Sequence, residues 1–74
     1  MFYTLKEARN LVKKGEAMFY RKDVLWIRLG KDTIRVCSWD SGLKGYTRCF
    51  LSKEKPENLD FLFTEFASEG NAKS

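Results

Sequence analysis

Two tryptophans, three arginines and a tyrosine recur at even spacings through one stretch of this chain, and their chemistry is that of binding. Trp26 and Arg28 are two residues apart, Arg35 and Trp39 four, Tyr46 and Arg48 two again. Along a strand, residues two or four apart share a face. A flat indole or phenol can stack on an unpaired base, and a guanidinium can meet phosphate oxygens or base edges. An arginine beside a ring adds cation–π attraction to either role. Tryptophan and arginine are equally the residues of protein–protein hot spots. Both also make good strand residues, with the arginine stem covering the indole. The binding candidates are therefore Trp26, Arg28, Arg35, Trp39, Tyr46 and Arg48, with nucleic acid or a protein as partner.

Catalysis finds less support. The chain has no histidine, so the usual general base is missing, and no Ser, Thr or Cys has an identifiable activating partner. Asp23, Asp32 and Asp40 sit at turn positions, where aspartate commonly bonds the backbone. Gly42-Leu43-Lys44-Gly45 lacks the spacing and the Ser/Thr of a phosphate-binding loop. Without histidine no metal site of the usual His/Cys kind can be built from one chain. The expectation is a non-enzyme with no cofactor and no metal.

The elements that must position the candidates follow from periodicity. Val24 to Trp39 alternates in twos around Gly30-Lys31-Asp32, which predicts a β-hairpin with a compact turn. One face is expected to carry Leu25, Ile27, Leu29, Ile34 and Val36; the other Val24, Trp26, Arg28, Arg35, Cys37 and Trp39. Ala17–Tyr20 reads as a preceding strand and Tyr46–Leu51 as a last one, after the loop from Asp40 to Gly45. A first helix is expected over about residues 5–14. Thr4 and Glu7 form a capping box, Tyr3 and Ala8 stand as a hydrophobic staple, and Gly15 supplies the stop. A second helix opens at Pro56, shows Leu59, Leu62, Phe63 and Phe66 at helical spacing, and ends at Gly70. Phe61 falls off that stripe, as a docking knob or as the edge of a wide core face.

The predicted fold class is α+β: one small two-layer domain, ordered helix, three- or four-stranded antiparallel sheet, helix. Both helices are expected on the Leu25/Ile27 face, leaving the tryptophan–arginine face open to solvent. Helices on opposite faces would instead put both tryptophans in the core.

Length and composition bound the rest. Seventy-four residues make one domain, 1–74, with a frayed tail from about residue 70. An aromatic share of 15% lets a small core bury useful area. The net charge of +4 is uneven: residues 1–53 hold twelve Lys/Arg against five Asp/Glu, and residues 54–74 hold two against five. That balance of +7 against −3 predicts a basic surface, drawn to polyanions, and an acidic helix. No run approaches the ~20 apolar residues of a membrane span, and no signal peptide is evident, so a cytoplasmic protein with Cys37 and Cys49 reduced is expected.

The order helix, three strands, helix resembles that of the double-stranded RNA-binding domain, over nearly the whole chain and in topology alone. That family opens its second helix with a lysine cluster, whereas here the matching stretch, KPENLDFLFTEF, is acidic. From Tyr20 to Phe66 the chain is also similar in part to the three-stranded sheets of AP2-like and integrase N-terminal domains, which place Arg and Trp in the DNA major groove. Both resemblances imply nucleic acid as partner.

The leading expectation is a small regulatory protein that binds nucleic acid through its basic aromatic sheet face. The alternative is a protein-binding inhibitor or adaptor, of the kind small phage and mobile-element proteins supply, acting on a host protein. A homodimer that buries the tryptophan face is a third arrangement.

Overall fold

The computed structural model describes the backbone of residues 1–21 and 23–73 and the side chains of 1–21 and 23–64. The chain opens with a strand missed by the periodicity, β1 (Tyr3–Thr4), which runs directly into α1 (Leu5–Lys13). Thr4 caps the helix as its sequence demands. Its hydroxyl accepts from the Glu7 amide at 3.1 Å, and the Glu7 carboxylate accepts from the Thr4 amide at 2.9 Å. At the other end Gly15 turns left-handed, with φ +77°, and Glu16 and Gly15 donate back to the Leu11 and Val12 carbonyls, each at 3.0 Å.

Four strands follow: β2 (Ala17–Tyr20), β3 (Val24–Arg28), β4 (Thr33–Asp40) and β5 (Gly45–Lys53), then α2 (Pro56–Lys73). The sheet is antiparallel with spatial order β1-β5-β4-β3-β2, five strands rather than three or four. The expected helix stop at Gly70 is corrected: α2 continues through it to Lys73, where a frayed tail was expected.

The hairpin register overturns the expected faces. Leu29 donates to the Thr33 carbonyl at 2.9 Å, closing a three-residue loop. Such a loop pairs odd residues with odd and even with even: Leu25 faces Cys37, Ile27 faces Arg35, Trp26 faces Val36 and Arg28 faces Ile34. Ile34 and Val36 therefore share a face with Trp26 and Arg28, not with Leu25 and Ile27. Each face of the sheet then carries its own apolar set, and each takes one helix. Ala8 and Val12 of α1 pack with Ala17, Leu25, Ile27, Cys37 and Tyr46; Leu59 and Phe63 of α2 pack with Met18 and Ile34 on the other side. The expected arrangement, both helices on one face and the other face open, is corrected: the sheet lies between the helices.

The α1 face is concave. Phe19 on β2 and Tyr46 on β5 sit three strands apart, about 14 Å on a flat sheet, yet their ring centroids are 6.0 Å apart. The curl brings these rings together over Leu25 and Cys37 and closes the first core.

Between β4 and β5 the register slips by one, from Val36↔Phe50 to Ser38↔Thr47. The extra residue on β5 is accommodated at Arg48, whose backbone is left-handed with φ 55°, as at a β-bulge. Directly beside it Cys37 and Cys49 are joined by a disulfide with Cα atoms 4.1 Å apart. The expectation of two reduced thiols is therefore corrected. The bond staples neighbouring strands at the point where the ladder is interrupted.

Candidate interaction surface

The six sequence-predicted residues fall into three places. Trp26 and Arg28 lie on the α2 face. Trp26 is half-buried and stacks on Tyr20, with centroids 5.0 Å apart and planes 14° from parallel. The Arg21 guanidinium caps the far partner, 5.4 Å above the Tyr20 ring. Arg28 is engaged by α2: it pairs with Asp60, donates through Nε to the Gly30 carbonyl at 3.1 Å and stands 5.8 Å over the Phe63 ring.

Arg35, Trp39 and Tyr46 lie on the α1 face. Arg35 donates through Nη1 to the Tyr3 hydroxyl at 2.8 Å, which holds its guanidinium against β1. Trp39 meets Tyr46 edge to face at 5.0 Å, and Tyr46 is buried. Burial pushes the Tyr46 phenol above its ordinary value, with nearby Asp23 adding to the rise and Arg9 opposing it. Arg48 stands apart, exposed at the bulge of β5. The single basic aromatic face is thus divided: two candidates on one side of the sheet, three on the other, one at its rim.

The surface that sequence reasoning passed over is the far half of β5. Phe50 and Leu51 are 58% and 63% exposed. Consecutive strand residues point to opposite faces, so one large apolar side chain projects on each side of the sheet. The signal was present as two adjacent bulky apolar residues in a strand whose other positions alternate, a pattern that a one-sided strand does not need. Phe61, the residue off the helix stripe, is 59% exposed on α2.

This half of β5 is also an edge. β1 pairs only with Gly45 and Tyr46, and among the described residues no strand lies beyond β5 from Thr47 onward. The bonding pattern fixes which amides are free. Glu54 donates to the Asp32 carbonyl at 2.8 Å, so the pairs Ser52–Ile34 and Phe50–Val36, in step with it, bond inward to β4. Cys49, Leu51 and Lys53 then turn their N–H and C=O groups outward. The basic side chains of Arg48 and Lys53 bracket this segment, and β5 holds no carboxylate.

Two depressions lined by described residues are small. One depression of about 270 Å³ is lined by Tyr3, Glu7, Asn10, Leu11 and Lys14, another of about 280 Å³ by Leu5, Asp23, Trp39 and Tyr46. Both fall below the roughly 300–1,000 Å³ of small-molecule sites. Among the described residues no group of three His, Cys, Asp or Glu side chains is placed to hold a metal ion, and no helix is long and apolar enough to cross a membrane. No family, no curated protein and no solved structure matches the chain.

Proposed function

We propose that this chain is a small non-enzymatic binding protein, an inhibitor or adaptor, whose partner is another protein met at the outer half of β5. The observation that carries this reading is the exposure of Phe50 and Leu51, consecutive in the half of β5 whose outer edge no other described strand pairs. Large apolar groups in such a setting gain free energy by leaving water, about 25 cal/mol per Å² covered. Photocrosslinking tests it: benzoylphenylalanine replaces Phe50 in one sample and Lys13 on α1 in another, each exposed to nuclease-treated, high-salt lysate. A discrete protein adduct at position 50 and none at position 13 is expected. Adducts of equal yield at both positions, or none at 50, would remove the reading.

A second reading, nucleic-acid binding, is favoured by a separate observation: Tyr20, Trp26 and Arg21 form a stacked, cation-capped group on a chain of net charge +4. Trp26, Arg28 and Arg48, together with Tyr20 and Arg21, would make the contacts. Titrating tryptophan fluorescence with single- and double-stranded oligonucleotides at two salt concentrations tests it, with salt-dependent quenching expected. The Cys37–Cys49 disulfide supports an oxidising setting in place of the cytoplasmic one expected from sequence.

A further inference from the structure

We infer that the outer edge of β5 takes up an extended acidic segment of a partner protein as a sixth strand, paired along Cys49–Lys53. The inference rests on the protein-binding reading and names the mode and chemistry of the partner.

A sheet edge with free N–H and C=O groups is a template for another strand, and proteins that do not use an edge usually blunt it. Here the Arg48 bulge ends the regular ladder on one side and the Lys53 terminus ends it on the other. Those features alone would serve as protection. A protected edge has no use for Phe50 and Leu51 exposed between them, one on each face. The segment instead offers the three requirements of strand addition: outward backbone groups at Cys49, Leu51 and Lys53, apolar side chains on both faces, and a fixed register.

Charge selects the occupant. Arg48 is exposed, and Lys53, its side chain 76% exposed, makes only a loose 3.5 Å contact to Asp32. A second copy of the chain would bring the same cations to this edge; a segment with carboxylates at both ends would neutralise them. Residues facing each other across antiparallel strands fix the pattern. A carboxylate opposite Lys53 and another one residue past the position opposite Cys49, at the Arg48 end, bracket apolar residues opposite Leu51 and Phe50. The partner segment therefore reads acidic, any, apolar, apolar, any, acidic.

The test uses the full chain labelled with ¹⁵N and two capped hexapeptides, Glu-Thr-Ile-Val-Thr-Glu and its counterpart with lysine at both ends. Saturable shifts confined to Thr47–Lys53, with slowed exchange of the Leu51 and Lys53 amides, are expected for the glutamate peptide at concentrations up to about 1 mM. The lysine peptide is expected to bind at least about tenfold more weakly, as an unfavourable charge pair at each end implies. Leu51→Pro removes an N–H that points away from β4, so it leaves the β4–β5 bonds intact and is expected to lower affinity about tenfold. Its thermal unfolding reports whether the fold is kept, and Arg48→Glu with Lys53→Glu provides a second variant expected to invert the peptide preference.

No shift at Leu51 and Lys53, or equal binding of both peptides, overturns the inference. So does protection of those amides in a concentration-dependent dimer without peptide, which assigns the edge to a second copy. A protein crosslink at position 50 whose yield is unchanged by Leu51→Pro overturns strand addition and leaves the protein-binding reading standing. Absence of any such crosslink removes that reading itself.

Discussion

Arg35 and Tyr3 tie the middle of the sheet to its two-residue edge strand: the guanidinium donates to the phenol oxygen at 2.8 Å, and the same hydroxyl donates to the Met1 sulfur at 3.1 Å. Apart from this contact β1 holds to β5 through two residue pairs, and the Thr47 hydroxyl donates to the Met1 carbonyl just ahead of it at 3.3 Å. Tyr3→Phe keeps the ring and deletes both bonds. It is expected to cost about 1 kcal/mol, seen as a lower urea midpoint with an unchanged slope. Faster exchange of the Tyr46 amide, which faces β1, should accompany it. An unchanged midpoint would mean that Arg35 bonds water equally well.

The disulfide closes a loop across a sequence separation of 12. Cross-links of that span typically contribute about 3 kcal/mol, chiefly by limiting the unfolded chain, a large share of what a small core supplies. Unfolding in guanidinium is expected to shift strongly on adding dithiothreitol, and Cys37→Ser with Cys49→Ser should reproduce the shift without reductant. Two titratable thiols in the untreated protein would show that the bond is not formed.

Gly45 is required by its neighbours. A Cβ at this position would strike the Phe2 ring and come within 2.9 Å of the Tyr3 carbonyl oxygen. The ring is 44% exposed and can swing aside, but the carbonyl belongs to β1 and cannot move without it. Gly45→Ala is expected to destabilise by about 1–3 kcal/mol through displacement of β1. Gly30→Ala, where a Cβ meets nothing within 4 Å, serves as the control and is expected to be neutral or slightly stabilising.

Alkaline pH acts through Tyr46. Its phenol titrates above the ordinary value of 10.0 because burial disfavours the phenolate. The folded state therefore holds this proton more tightly than the unfolded chain. The associated stability is complete below pH ~10 and is lost as pH rises through the raised folded-state value. Denaturation midpoints measured from pH 8 to 11 should fall over the upper end of that range, and a midpoint that rises there would refute the burial argument. At the acid end the Thr33 hydroxyl and Lys53 lower the Asp32 carboxyl below 3.8, so any contribution from this exposed group disappears only as pH falls through that lowered value.

Local signals in the chain were legible, and long-range ones were not. The Thr4–Glu7 capping box, the Gly15 stop and the Pro56 start each act through neighbours a few residues away, and each element begins or ends where those residues place it. The faces failed on one parity. Gly30-Lys31-Asp32 reads as a three-residue turn, and a turn of that length forbids the grouping of Leu25 with Ile34. Counting across the loop would have put Trp26 with Ile34 and predicted two apolar faces, hence a helix on each. β1 was invisible because two residues show no periodicity, and its pairing partner lies far along the chain. The disulfide was hidden by the Arg48 bulge, since the register of the Trp39–Tyr46 pair, extended without a slip, leaves Cys37 and Cys49 out of step.

The pairing of β1 with β5 also sets a schedule for a chain leaving the ribosome. Tyr3 and Thr4 stand at the front of the first helix, but their strand partners, Tyr46 and Gly45, are synthesised roughly forty residues later. At about 5–20 residues per second, the helix waits some seconds before its leading segment has anywhere to dock. The capping box of Thr4 is local and can hold that helix end in the interval. The strand ahead of α1 is thus made before its partner and fastened only after it.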